Sequence, residues 1–357
     1  MEQLGTTDRE RLAAYGTVST ALALCSDEQL ADLVDAATPL GSGIGGRSSL
    51  LEVDGTPVFV KRVPLTDLER LPEHARSTAN LFGLPAFCQY GLGGPSSGVW
   101  RELAVHIMTT NWVLTGENPG FPLTYHWRVL PDSAPLPEEL ADVDRVVAYW
   151  DGGSQVRRRI DELRESSASV TLFLEYIPQN LREWLGEQVK AGDEEVTETC
   201  LRVEQALHAG TSFMNTRGLL HFDAHFENIL TDGRRLYFAD YGLALSSRFE
   251  LSEEEAGFFD RHQVYDRCYT LTSLVIWLAS ALNGSGGEDA DALLRAYARG
   301  EGPTGIPAAA AAILSRYAPL AAVLKEFNRR LRQESRLTPY PLEEILRISA
   351  RDGVSLT

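Results

Sequence analysis

Basic residues are in short supply in this chain. Its 357 residues hold 33 Lys and Arg against 50 Asp and Glu, a formal net charge of -17. A nucleic-acid binder usually shows a basic face, so that class is set aside, and partners are expected to be neutral or cationic. Cysteine is sparse too. Cys25, Cys88, Cys200 and Cys268 lie far apart and form no C-x-x-C, which points to free, mostly buried thiols in a reducing compartment. No long apolar run is present. The most apolar stretch, Leu271 to Leu282, is shorter than the ~20 residues a bilayer span requires and reads as a buried helix. Met1 to Glu10 is polar and lacks an apolar centre, so no secretory leader is expected. A cytoplasmic protein with no membrane partner follows as the expectation. No internal repeat is visible.

What is present suits a folded protein. Hydrophobic content is 44% and charged content 23%, both ordinary for a soluble globular chain, and the length allows one large core or two medium ones. Residues 8 to 37 have helical periodicity, and 1–37 is expected to form a helical extension. Leu50 to Val53 and Val58 to Val60 are β-like runs joined by Asp54-Gly55, a strong hairpin signal. Residues 62–98 are rich in Gly and Pro and read as an insertion with loops. Trp100 to Leu114 is helical. Tyr125 to Leu130 is a strand, Pro131 to Pro137 a Pro-rich loop, and 138 to 165 a helical insertion. Val170 to Tyr176 is a buried strand. From Leu181 the chain is mostly helical, broken by a short hairpin at Asp232-Gly233, and Pro307 marks a late helix start. A β-containing part over 38–176, with insertions near 62–98 and 136–168, is thus followed by a helical part over 177–357. The fold class is α+β.

The densest chemistry lies in His221-Phe222-Asp223-Ala224-His225-Phe226-Glu227-Asn228, with Asp240-Tyr241-Gly242 beginning twelve residues after the Asn. Two short strands, Ile229-Leu230 and Leu236 to Ala239, surround the turn, so a hairpin brings Asn228 and Asp240 together as two oxygen ligands of one Mg²⁺. Asp223 lies in the preceding loop, where a carboxylate orients a hydroxyl nucleophile. His221 is expected to brace that loop, and His225 either does the same or meets the acceptor. A transition-metal cluster, His221-x-Asp223-x-His225, is the rival; it leaves the rest of the pattern without a role.

That rest begins with Gly41-Ser42-Gly43-Ile44-Gly45-Gly46, in which Gly41, Gly43 and Gly46 match G-x-G-x-x-G. Glycine lets backbone N–H groups approach phosphate with no Cβ in the way. A β-hairpin follows rather than a helix, which favours a loop capping nucleotide phosphates over a dinucleotide fold. Lys61, fifteen residues past Gly46 at the end of Val58-Phe59-Val60, can reach phosphates from a rigid strand. Such a lysine needs a carboxylate. Glu102, opening the Trp100 helix, is the first candidate; Glu69 and Glu73 are rivals closer in sequence. The strand Leu172 to Ile177 breaks at Pro178, as a hinge between two lobes would, and backbone groups of Glu175 and Ile177 are candidates to pair with an adenine edge.

Together these residues resemble the protein-kinase-like superfamily, which spans Ser/Thr protein kinases and the aminoglycoside and choline kinase relatives. The resemblance covers roughly residues 38 to 285, with the motifs in order. It implies a bilobal fold, with a small β-rich N-lobe and a larger helical C-lobe. It implies ATP and Mg²⁺ as cofactors and transfer of the γ-phosphoryl group to a hydroxyl. Gly41, Gly43 and Gly46 would cover the phosphates, Lys61 would contact them and pair with Glu102, and Leu174 to Ile177 would be the hinge. Asp223 would be the catalytic base, Asn228 and Asp240 the metal ligands, and Asp266 a buried brace beneath the catalytic loop. There are departures. Phe222 stands where phosphorylation-activated kinases carry Arg before the catalytic Asp, so activation-loop phosphorylation is not expected. No Ala-Pro-Glu follows Asp240-Tyr241-Gly242. Ser252 and Glu255 have capping-box spacing, which leaves only Leu243 to Leu251 before a new helix. His225 is more like the small-molecule kinases. The acceptor is therefore a hydroxyl on a protein or peptide, slightly favoured by the glycine loop and hinge, or on a small molecule. Transfer of AMP uses the same parts, and a pseudokinase scaffold is the non-enzymatic alternative.

Overall fold

The structure, a computed structural model, describes residues 6–91, 93–151, 153–188, 193–282 and 287–356. Residues 1–5 of the polar start, on which the absence of a leader was argued, lie outside the described residues. The chain is a mixed α+β protein and divides into two units. The first comprises Met1–Ile177, Asp240–Ala244 and Phe249–Ser252; the second comprises Pro178–Ala239, Leu245–Arg248 and Glu253–Thr357. The main break falls before Pro178, where the extended run ends. The two short segments after Ala239 that return to the first unit were not visible in the sequence pattern.

The first unit begins with two helices, α1 (Thr6–Ala23) and α2 (Asp27–Asp35), where periodicity suggested one continuous stretch. Ser26 separates them: it caps α2 in a reciprocal capping box with Gln29. Five strands follow, β1 (Thr38–Gly43), β2 (Gly46–Val53), β3 (Thr56–Leu65), β4 (Thr124–Pro131) and β5 (Ala168–Glu175), in an antiparallel sheet of order β1-β2-β3-β5-β4. The β2–β3 hairpin turns at Asp54-Gly55, both with positive φ (48° and 77°), as a two-residue hairpin loop demands. The glycine-rich run is itself a hairpin, with Gly43 opposite Gly46 across Ile44-Gly45. Gly46 has φ +112°, and a Cβ there would strike the Arg62 carbonyl on β3, so close strand packing alone requires glycine.

Alternation along β3 decides what each side chain meets. Lys61 shares a face with Phe59, Val63 and Leu65. On that face Val63, Leu65, Val170, Leu172 and Leu174 pack with Val99, Trp100 and Leu103 of α4 (Val99–Leu114). Between β3 and α4 lies α3 (Asp67–Arg70). Three short helices, α5 (Glu138–Ala141), α6 (Val143–Tyr149) and α7 (Ser154–Arg164), replace the single helical insertion. They share one core with the other insertion, in which Phe82, Leu84 and Cys88 pack with Leu140, Val146, Trp150, Val156 and Ile160. The two insertions are one subdomain.

The second unit is chiefly helical: α8 (Leu181–Gln188), α9 (Asp193–Thr216), α10 (Glu253–Arg261), α11 (Tyr265–Leu282), α12 (Gly287–Ala298), α13 (Ala308–Gln333) and α14 (Leu342–Asp352). Helix α10 begins directly after Ser252, at the expected cap, and α13 directly after Pro307. The strands are short: β6 (Gln179–Asn180), β7 (Leu219–Leu220), β8 (Ile229–Thr231), β9 (Leu236–Phe238) and β10 (Leu245–Ser246). They pair as β6-β8-β9 and β10-β7. Among the described residues only α13 is long and apolar enough by composition to cross a membrane. Its Ile313, Leu314, Leu320, Leu324 and Phe327 are buried within the protein.

Candidate functional site

In the first unit the site is built on Lys61. The lysine is buried, at 7% exposure. Its Nζ lies 2.7 Å from Glu102 Oε1 and 2.9 Å from Asp240 Oδ1. Both contacts follow from the fold. The core face of β3 points Lys61 at α4, and Glu102 lies in the first turn of that helix. Glu69, the nearer rival in sequence, is engaged elsewhere, with Thr66, Val99 and Arg159. Burial alone would lower the Lys61 pKa, but Asp240 and Glu102 outweigh it and hold the amine above the ordinary lysine range. Lys61 is therefore a locked cation.

Three neighbours were not singled out from the sequence. A Cβ on Gly45 would lie 3.3 Å from Lys61 Nζ and 3.6 Å from Asp240 Oδ2, so the glycine that opens this side is Gly45. Gly43 has open space around it, and Gly41 meets only Ser48. His106 is buried, with Nε2 3.9 Å from Glu102 Oε1, and its ring meets Tyr241 edge-on at 4.8 Å. Burial first, and then Lys61, push its pKa down to about 3, so it is neutral. The spacing from Glu102 to His106 puts both on one helix face, a signal that was available in the sequence. Tyr241 is also buried.

Glu175 closes β5 with its groups already used in part. Its N–H donates to Leu123 O (2.8 Å), while its carboxylate accepts from Arg11 and from Leu123 N–H. The Glu175 N–H is therefore not open to an adenine edge. Ile177 is the last residue of this unit's main segment.

The second unit holds the loop from His221 to Asn228. Asp266, in the first turn of α11, accepts from His221 N–H (2.6 Å) and Phe222 N–H (2.8 Å). Burial pushes its pKa up to about 6 against those two donors. His221 accepts from Asp223 N–H at Nδ1 (3.3 Å), so the Nε2 proton faces Ala239 O (3.0 Å). Both ring nitrogens are thereby engaged, which argues against His221 as a metal ligand. Among the described residues no group of three His, Cys, Asp or Glu is arranged to hold a metal. Asn228 Nδ2 donates to both Asp223 O (3.0 Å) and Asp223 Oδ2 (3.1 Å). With its N–H groups spent, the amide keeps its carbonyl oxygen for coordination. His225 Nε2 lies 3.8 Å from Asp223 Oδ1. Ala239 donates to Asn228 O (2.9 Å), and Asp240 is the next residue along the chain.

The site residues thus form two sets of groups. One is a buried ammonium between carboxylates beside a glycine turn, suited to a polyanion with its counter-ion. The other is an aspartate with a hydrogen-bonded asparagine on a braced loop. Asn228 in the second unit keeps an amide oxygen and Asp240 in the first carries a carboxylate, each an oxygen donor of the type a hard cation such as Mg²⁺ takes. No family model matches this chain, and no curated protein matches it.

Proposed function

We propose that the chain is an ATP- and Mg²⁺-dependent phosphotransferase with a bilobal protein-kinase-like fold, moving the γ-phosphoryl group to a hydroxyl of a protein or peptide. The observation that carries this is the buried Lys61 held at 2.7 Å by Glu102 and 2.9 Å by Asp240. A permanently charged amine is costly to bury and is worth that cost where phosphate charge must be neutralised. The Asp223–Asn228 bonds support the same reading.

In this mechanism Lys61 binds phosphate oxygens and Glu102 keeps it in place. The Ile44-Gly45 turn leaves room for the phosphates. Mg²⁺, held by Asn228 and Asp240, would supply charge neutralisation on the transferring group. Asp223 orients the acceptor hydroxyl and takes its proton, while His221 and Asp266 fix the loop that carries it. Catalysis is then positioning and electrostatics. A cytoplasmic location is part of the same proposal, supported by the free thiols of Cys25, Cys88, Cys200 and Cys268.

A small-molecule acceptor is the second reading. Its support is the short span Leu243 to Leu251, in which Leu245 and Ser246 are already paired with β7, leaving little chain to form a peptide platform. The test is purified protein with γ-labelled ATP, Mg²⁺ and both a protein lysate and a metabolite mixture. Label should move to one acceptor class, and Asp223→Asn should lower kcat about 10²- to 10⁴-fold. Wild-type rates in both Asp223→Asn and Asp240→Asn would sink the assignment. Transfer of α-label instead would make it an AMP transferase. Nucleotide binding with no transfer would leave a scaffold.

A further inference from the structure

The two insertions of the first unit converge on one buried carboxylate, Glu69. Its Oε2 accepts from Thr66 N–H (3.1 Å), Thr66 Oγ1 (2.7 Å) and Arg159 Nη1 (3.0 Å). Its Oε1 accepts from Val99 N–H (3.0 Å), the first residue of α4, and its backbone carbonyl accepts from Trp100 Nε1 (2.8 Å). A carboxylate at a helix N-terminus satisfies a donor the helix cannot and complements the dipole. Gly98 leads into α4 with φ +133°, and a Cβ there would come within 2.9 Å of Glu69 Oε1, so glycine makes room for the cap.

Arg159 reaches Glu69 from α7. It is 1% exposed and lies over the Phe82 ring at 4.7 Å. Its neighbours along the helix, Val156 and Ile160, belong to the insertion core. Glu102 lies three residues beyond Val99, so whatever fixes the first turn of α4 fixes the group that holds Lys61.

We infer that Glu69 and Arg159 are positioning residues for the Lys61–Glu102 pair. The insertion subdomain is a strut that holds α4 where Glu102 meets Lys61, without help from a movable activation segment. Its consequence for turnover rests on the phosphotransferase reading.

The experiment compares Arg159→Leu, Arg159→Lys, Glu69→Gln, Glu102→Gln and the double variant Glu102→Gln/Arg159→Leu in the full chain. Amide exchange at Val99 to Leu103 should quicken about tenfold in Arg159→Leu while β5 amides keep wild-type protection. The kcat for transfer from ATP should fall about tenfold with the acceptor KM unchanged, and Arg159→Lys should restore most of it. The double variant should be no slower than Glu102→Gln alone, because both changes act on one pair. Wild-type kcat in Arg159→Leu, or losses that multiply in the double variant, would overturn the inference. If Arg159→Leu does not fold, Glu69→Gln provides the same comparison in a smaller step. If wild type transfers nothing from ATP, the phosphotransferase reading fails. The exchange data, which need no nucleotide, still decide whether the strut holds α4.

Discussion

Phe222 and Asp240 share an uncommon backbone: both have φ of +62°. Left-handed backbone costs an L-residue roughly 1–2 kcal/mol, and strain of this kind gathers where a side chain must be aimed. Asp240 lowers its cost locally, with Oδ1 3.4 Å from Gly242 N–H. The Phe222 side chain has no polar atom for that; its support is the bond from its N–H to Asp266 and packing. Its ring lies 5.4 Å from Phe258, 5.0 Å from Tyr265 and 5.7 Å from His262. In the proposed kinase reading, Phe222 thus sets an aromatic cage where phosphorylation-activated kinases carry Arg. His262 is the titratable member of that cage. It stacks on Phe258, its Nδ1 is hydrogen-bonded to Phe258 O, and burial, aided by Arg261, pushes its pKa down to about 4. A depressed histidine pKa favours the neutral form in the folded state. Its contribution is therefore complete above the unfolded value of ~6.5 and is lost as pH falls toward 4, about 3 kcal/mol in all. Asp266 works the other way. Its raised pKa makes it stabilising at low pH, an effect lost as pH climbs from ~4 through 6. Urea unfolding of wild type and His262→Leu between pH 7 and 4.5 separates the two. The variant lacks the His262 loss and keeps the Asp266 gain, so it should lose less stability toward acid than wild type, and equal slopes would remove His262 from the account.

At the scale of elements, helix α1 bears on β5 through one side chain. Arg11 sets its guanidinium on Glu175, with Nε 2.7 Å from Oε1 and Nη2 2.6 Å from Oε2, and donates to Pro119 O (2.9 Å) and Phe121 O as well. Tyr15 meets Tyr125 on β4 at 6.1 Å, and Val18 and Leu22 are buried. The N-terminal extension thereby fixes the end of the strand from which the proposed adenine contacts come. Arg11→Ala should raise the KM for ATP several-fold with kcat near wild type, measured by initial rates at saturating acceptor. Arg11→Lys should recover little, since a single ammonium cannot reproduce the planar fork. An unchanged KM would show that the clamp serves stability alone. The helical period of residues 8 to 37 was legible in the sequence, but its docking was not. Arg11 and Glu175 are 164 residues apart, and no local pattern links them. The same limit hid the role of Glu69, which nearness in sequence made a rival for Lys61. The β2–β3 hairpin, the start of α10 after Ser252 and the Glu102 helix were readable because turn and helix-start signals are local.

Over the whole molecule, the chain crosses between its two units more often than motif order reveals. Asp240 to Ala244 belongs with Lys61 in the first unit, while Pro178 to Ala239 belongs to the second. The motif therefore announced its residue types and order, but not which unit each joins, because unit membership depends on long-range packing. The net charge of -17 adds a constraint on the same scale. Free ATP is a polyanion approaching an acidic protein, and Asp240 adds a further carboxylate where phosphate would bind, so Mg²⁺ should be needed for binding as well as turnover. At about a hundred times Kd, a ligand that binds only the folded state stabilises it by ~2.7 kcal/mol, enough to raise Tm by about 4 °C in a chain of this size. Thermal denaturation with ATP and Mg²⁺ together should show that shift. ATP with a chelator should give much less, and Lys61→Met should abolish it. A full shift in Lys61→Met, or one in wild type that ignores Mg²⁺, would place nucleotide binding away from Lys61 and remove the main support for the phosphotransferase.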